Sequence, residues 1–277
     1  MRPTLILRIN LLKEAVMSSL DGKNCIVTGS AKGIGRTIGE ALMQEGANVL
    51  FADLDPAVQV TAEESNAKFG GRAIGFKMDV TNRAQVKEMI EKAVAEFGSL
   101  DVMFNNAGVN KPMNFLDVTE ENWDFIMKIN GLGVLIGTQE AARQMIAQGS
   151  GGKIINTASI ASRQGYDNIA PYCASKFAVL SLTQSAARDL AKHKITVNGF
   201  APGVVATEMW SQLDKDLIEI GASKQPGQAI EEFSSGILLG RPAAPEDLVG
   251  TTNFLASSAS DYMTGQTLMI DGGMILV

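Results

Sequence analysis

From residue 24 onward the chain repeats one pattern: a short apolar run, a turn, then a longer segment with apolar residues at helical spacing. No other feature restricts its folding as much. Asn24–Thr28, Ala47–Asp53, Ala73–Asp79, Leu100–Asn105, Lys153–Thr157, Ile195–Phe200 and Thr267–Ile270 read as strands. Ile34–Glu45, Ala57–Phe69, Arg83–Phe97, Glu120–Gln148, Tyr172–Lys192 and Glu246–Ala256 read as helices. Strands separated by helices pair in parallel through right-handed crossovers. The expected fold is therefore α/β, a single doubly wound parallel sheet with helices on both faces, in one domain over 20–277. Residues 207–240 break the alternation and follow a strand end, where such sheets bind ligands. That makes them a candidate substrate lid.

Composition removes several function classes. The 277 residues carry a formal net charge of −6. A nucleic-acid partner is not expected, because phosphate backbones require clustered Lys and Arg. Cys25 and Cys173 are too few for a disulfide scaffold and lack metal-ligand spacing, so no metal is expected and a reducing cytoplasm is the expected compartment. Cys25, in an apolar run, reads as a small buried hydrophobe. The single histidine, His193, lies between two lysines and reads as a surface residue at a helix end. No apolar run reaches membrane-spanning length. The first 19 residues, with Arg8 interrupting the apolar stretch, fit a secretory signal poorly. They read as a poorly ordered extension, or as translation from too early a start with Met17 the true one. The alternative is a surface or partner-binding helix with Leu5, Ile9, Leu12 and Val16 near one face.

The first strand runs into Thr28-Gly29-Ser30-Ala31-Lys32-Gly33-Ile34-Gly35. Glycine there permits a tight turn and close backbone approach. The helix that follows offers free amides and a positive dipole end, which suits a pyrophosphate. The second strand ends at Asp53, followed by Leu54. An acid at that position accepts hydrogen bonds from a ribose 2′,3′-diol and repels a 2′-phosphate, which favours NAD over NADP. Lys32 pulls the other way, since a basic loop residue could meet a phosphate. The next two strands end at Asp79-Val80 and at Asn105-Asn106-Ala107-Gly108, positions fit for adenine and its ribose. Asp79 could equally be a helix N-cap before Arg83, and Asn106 a turn residue.

Tyr172 and Lys176 stand one helical turn apart on a shared face. A neighbouring ammonium is expected to lower a phenol's pKa from its usual value near 10, letting Tyr172 exchange protons with a carbonyl or alcohol oxygen. Ser159, just past the fifth strand, could hold that oxygen against Tyr172, or be a loop or cap serine. Asn130 sits mid-helix and is followed by Gly131 and Gly133. That local conflict marks either function or a helix kink.

TGSAKGIG, NNAG, Asn130, Ser159, YCASK and Ala201-Pro202-Gly203 together resemble the short-chain dehydrogenase/reductase family, in family order from about Leu20 to Val277. The resemblance implies a Rossmann-type fold and an Asn130–Ser159–Tyr172–Lys176 tetrad. It further implies that Lys176 also holds the nicotinamide ribose and that Asn130 orders a relay water. Pro202, Gly203, Val205 and Thr207 would border the nicotinamide, and Tyr172 would contact it. A homotetramer built on the long helices is implied as well. VNGFAPGVVATEMW and SDYMTGQTLMIDGGM resemble acetoin/2,3-butanediol and polyol (sorbitol-type) dehydrogenases, with Met209 and Trp210 as an apolar wall. The expected function is NAD-dependent interconversion of a secondary alcohol, in a polyol or vicinal diol, with its ketone. The alternatives are an NADP-dependent 3-oxoacyl thioester reductase and a non-catalytic NAD-binding regulator.

Overall fold

The structure is a computed structural model that describes residues 20–70 and 72–276. The expectations for residues 1–19 lie outside these. Among the described residues seven strands form one parallel sheet: β1 Asn24–Thr28, β2 Asn48–Asp53, β3 Ala73–Lys77, β4 Val102–Asn105, β5 Gly152–Thr157, β6 Ile195–Pro202 and β7 Thr267–Ile270. Their spatial order is β3-β2-β1-β4-β5-β6-β7. The order reverses between β1 and β4, where Val27 pairs with Phe104. A crevice opens outside the carboxyl ends of the strands at such a reversal.

Strand side chains alternate between two cores. Cys25, Val27, Val49 and Phe51 point to one face, against α1 (Gly33–Gln44), α2 (Val58–Phe69) and α9 (Val249–Ala256). Ile26, Leu50 and Met103 point to the other, against α3 (Arg83–Phe97), α5 (Gly133–Gln148) and α6 (Ala170–Leu190). A strand buried on both faces has to read as a continuous apolar run, as these do. Each fully buried large side chain contributes about 1.5–3 kcal/mol. Cys25 is fully buried as a small core residue. His193 lies in a short 3-10 turn after α6, away from the crevice.

Several boundaries differ from the sequence reading. The expected helix Glu120–Gln148 is divided into α4 (Glu120–Met127), a π turn over Lys128–Leu132, and α5. Strand β3 stops at Lys77 instead of Asp79, and Asp79 Oδ1 accepts from the Thr81 amide at 2.8 Å to close a turn. Asp79 is thus not the N-cap of α3. Asn82 is, accepting from Ala84 and Gln85. The helix expected from Glu246 begins as a 3-10 turn, Pro245–Leu248.

The weakly patterned segment 207–240 contains two helices, α7 (Glu208–Glu219) and α8 (Gln228–Ser234). Gly227 caps α8 and has no side chain to bond its free amides. The buried Asp214 carboxylate of α7 does so instead, accepting from Gly227 N at 2.7 Å and Ala229 N at 3.2 Å. Leu213, Leu217 and Ala229 pack on Ala161, Ile169 and Cys173. Among the described residues no helix is long and apolar enough to cross a membrane.

Candidate active site

A cleft of about 350 Å³ opens at the switch point between β1 and β4 and extends under α7. Its first wall is the glycine-rich loop. Gly29 has φ +64°, and a Cβ there would lie 2.7 Å from Ala107 Cα, so only glycine lets the loop press against the β4 turn. Gly33 also has positive φ, and a Cβ on it would meet nothing nearer than the Thr207 methyl at 3.9 Å; it faces the open cleft. Helix α1 has no side-chain cap and no acid in its first turn. Its leading amides are left for an external anion, and the backbone above them is bare, which fits the pyrophosphate of a dinucleotide.

Gly29, Lys32, Gly33, Ile34, Gly35, Asp53, Leu54, Asp79, Val80, Asn106, Ala107, Gly108, Tyr172, Lys176, Pro202, Gly203, Val205 and Thr207 all line the cleft, as does Ser159. Ser30 does not line it. It is fully buried; its hydroxyl donates to Val27 O at 2.7 Å and accepts from Ala52 N at 2.9 Å, tying the loop to β2. The Asp53 carboxylate is fixed by the amides of Ala31 at 2.9 Å and Asp55 at 3.0 Å. Lys32 Nζ pairs with Glu208 Oε2 at 2.6 Å across the cleft mouth. Asn106 is a brace as well as a lining residue. Its Nδ2 donates to Thr28 O at 3.0 Å and Gly29 O at 3.1 Å, and its Oδ1 accepts from the Thr157 hydroxyl at 3.2 Å.

On the floor, Ser159 and Tyr172 meet. Ser159 Oγ accepts from Ala161 N at 3.1 Å, so the cap role holds, and the same hydroxyl lies beside the Tyr172 phenol. Lys176 is 4% exposed; its ammonium donates to Thr157 O at 2.8 Å and lies 5.5 Å from the Tyr172 ring centroid. The expected lowering of the phenol is not what results. Enclosure by protein pushes Tyr172 up to about 12, opposed by the Ser159 hydrogen bond, and burial lowers Lys176 to about 8. The ammonium is bonded to the Thr157 carbonyl instead of the phenol, and desolvation outweighs the opposing Ser159 contribution.

Asn130 stands apart from the cleft wall. It is fully buried in the π turn; Oδ1 accepts from Val109 N at 2.9 Å, and Nδ2 donates to Val109 O at 2.9 Å and Ser175 Oγ at 3.0 Å. From the π turn its side chain clamps the segment after β4 to α6. The lining residues that the sequence analysis did not single out include Thr157, whose carbonyl anchors Lys176, and Glu208.

Comparison with known proteins agrees with this arrangement. A family profile described as enoyl-(acyl carrier protein) reductase matches residues 29–275. The chain belongs to the short-chain dehydrogenase/reductase family. It is an oxidoreductase, and its fold is that of a nicotinamide dinucleotide enzyme. A diacetyl reductase of the (S)-acetoin-forming type from Staphylococcus epidermidis is 44% identical over 91% of this chain and 98% of its own. A sorbitol dehydrogenase from Cereibacter sphaeroides is 40% identical over 92% and 98%. A short-chain dehydrogenase/reductase structure from Mycobacterium marinum, 37% identical, superposes with a TM-score of 0.85 over 93% of this chain and 97% of its own.

Proposed function

We propose that this protein interconverts a secondary alcohol bearing a neighbouring oxygen, in a vicinal diol or polyol, with its ketone, using NAD. The observation that carries the reading is the meeting of Ser159, Tyr172 and Lys176 on the cleft floor beside the bare amides of α1. The choice of NAD is supported by the Asp53 carboxylate, held at the end of β2 by two amides. The substrate class is supported by the relatives' common chemistry: diacetyl, acetoin and sorbitol all place a second oxygen beside the reacting carbon. Residues 207–240 form the lid, with Met209 and Trp210 as its apolar wall.

When bound, the nicotinamide supplies or accepts the hydride at the substrate carbon. Tyr172 Oη gives its proton to the carbonyl oxygen in reduction and takes it back in oxidation. The Ser159 hydroxyl holds that oxygen within reach of Oη. Lys176, charged below about pH 8, stabilises the phenolate that remains. Asn130 keeps the Val109 segment and α6 in register, a positioning role. Because the raised phenol stays protonated at neutral pH, the chain is ready to donate. Oxidation is therefore expected to accelerate from pH 7 toward alkaline pH relative to reduction, read from initial rates in both directions. The two free cysteines suit the cytoplasm. The exposed Trp123, Phe125 and Phe177 on α4 and α6 suit a homotetramer, which light scattering would detect.

The test is absorbance of reduced nicotinamide with NAD or NADP and a panel of vicinal diols, polyols and simple secondary alcohols. Turnover with NAD on a diol or polyol is expected. Turnover confined to NADP and 3-oxoacyl thioesters would overturn the reading, and dinucleotide binding with no turnover on any substrate would favour a regulator.

A further inference from the structure

The cleft mouth carries an ion pair that neither the fold nor the proton transfer requires. Lys32 is the N-cap residue of α1, Glu208 is the first residue of α7, and both line the cleft. Their side chains meet at 2.6 Å although they are 62% and 73% exposed. An exposed pair of this kind contributes little to stability, so its effect is to be sought in what it does to the cleft.

Among the described residues two cations line the cleft, Lys32 and Lys176. Lys176 is committed at depth to Thr157 O. Lys32 is therefore the lining cation at the Asp53 end, and Asp53 bonds the amide of its neighbour Ala31. Lys32 and Asp53 thus line the same stretch of the cleft, the lysine one residue from the amide that Asp53 holds. A 2′-phosphate needs a cation free to meet it.

We propose that Glu208 is a specificity-determining residue that favours NAD over NADP by claiming Lys32. The proposal rests on the NAD reading above. It differs from the role of Asp53: Asp53 repels a 2′-phosphate directly, whereas Glu208 acts through Lys32. It also links cofactor choice to the lid, because the residue that withholds the lysine belongs to α7.

The experiment compares wild type, Glu208→Gln, Lys32→Met and the double variant. For each, kcat/KM is measured with NAD and with NADP on one substrate, and each reduced dinucleotide is titrated by fluorescence. Glu208→Gln is expected to raise the NADP:NAD ratio by about three- to tenfold, the order of a single screened charge contact. The gain is expected to shrink in about 0.5 M salt and to disappear when Lys32→Met is added. Loss of an acid from the first turn of α7 affects both cofactors alike and cancels in the ratio. An unchanged ratio in Glu208→Gln overturns the proposal, and so does a gain that survives Lys32→Met. A wild type that prefers NADP overturns the NAD reading and is visible before any variant is made.

Discussion

Ser159, Tyr172 and Lys176 stand on elements locked into the sheet, whereas Met209 and Trp210 stand on a helix that leans on the body through one small apolar cluster. Lys176 is 4% exposed and hydrogen-bonded to a strand end; Met209 is 46% exposed. Trp210 meets the Phe233 ring edge-on at 5.3 Å, and Phe233 in turn meets Tyr166 at 5.8 Å. The floor brings together the groups proposed to transfer the proton, which demands rigid supports. The rim has to admit and release a substrate, which demands contacts that are weaker and fewer. The same chain meets both needs by placing them on different layers.

The largest break in this comparison is at the floor. Tyr172→Phe keeps the ring and removes the proton, so turnover is expected to fall by about a thousandfold, with dinucleotide affinity unchanged by fluorescence titration. Equal loss of affinity would mean that the phenol serves binding instead.

Lys176→Met is expected to remove turnover and yet raise stability in denaturant melts near neutral pH. The burial that lowers the ammonium from 10.5 to about 8 costs roughly 3 kcal/mol, by the conversion of pKa shift to free energy. The unpaired Thr157 carbonyl left behind returns about 1–3 kcal/mol of that. The sign with pH is sharper. Below about pH 8 folded and unfolded states are both protonated, and the burial cost is present in full. Between about 8 and 10.5 the unfolded chain binds more protons, so wild-type stability relative to the variant rises with pH. A difference that is flat across that interval would show that burial does not lower Lys176 and that the ammonium keeps its proton in the folded state up to about 10.5.

At the rim the effect should be smaller and of a different kind. Trp210→Ala is expected to raise KM for a small diol by about tenfold, as removal of apolar substrate contact does, with a lesser change in kcat. Hydrogen exchange is expected to speed in 208–234 and to stay unchanged at β4 and β5. Exchange that quickens throughout would place the tryptophan in the core of the fold.

The periodicity of the apolar runs made the sheet and most helices legible before any coordinates. The strand ends carrying Gly29, Asp53 and Asn106 were legible too, because burial on both faces leaves a continuous apolar run whose end is easily seen. The division of Glu120–Gln148 was signalled by Asn130 and its glycines, but the form of the break was not. A π turn follows from the clamp on Val109 and Ser175, partners distant in sequence. Helices α7 and α8 were missed because Gly227 offers no cap of its own, and Asp214 supplies it from the preceding helix.

By itself the sequence determined the layers, the direction of the chain through them, and the residue types at the strand ends. Local propensity and apolar period act over a few residues and are written in order along the chain. Tertiary structure decided which polar groups meet, turning Ser30 inward, bonding Lys176 to Thr157 instead of the phenol, and pairing Lys32 with Glu208. Those outcomes depend on desolvation and on distances between segments far apart in the chain, and both are set only when the layers close.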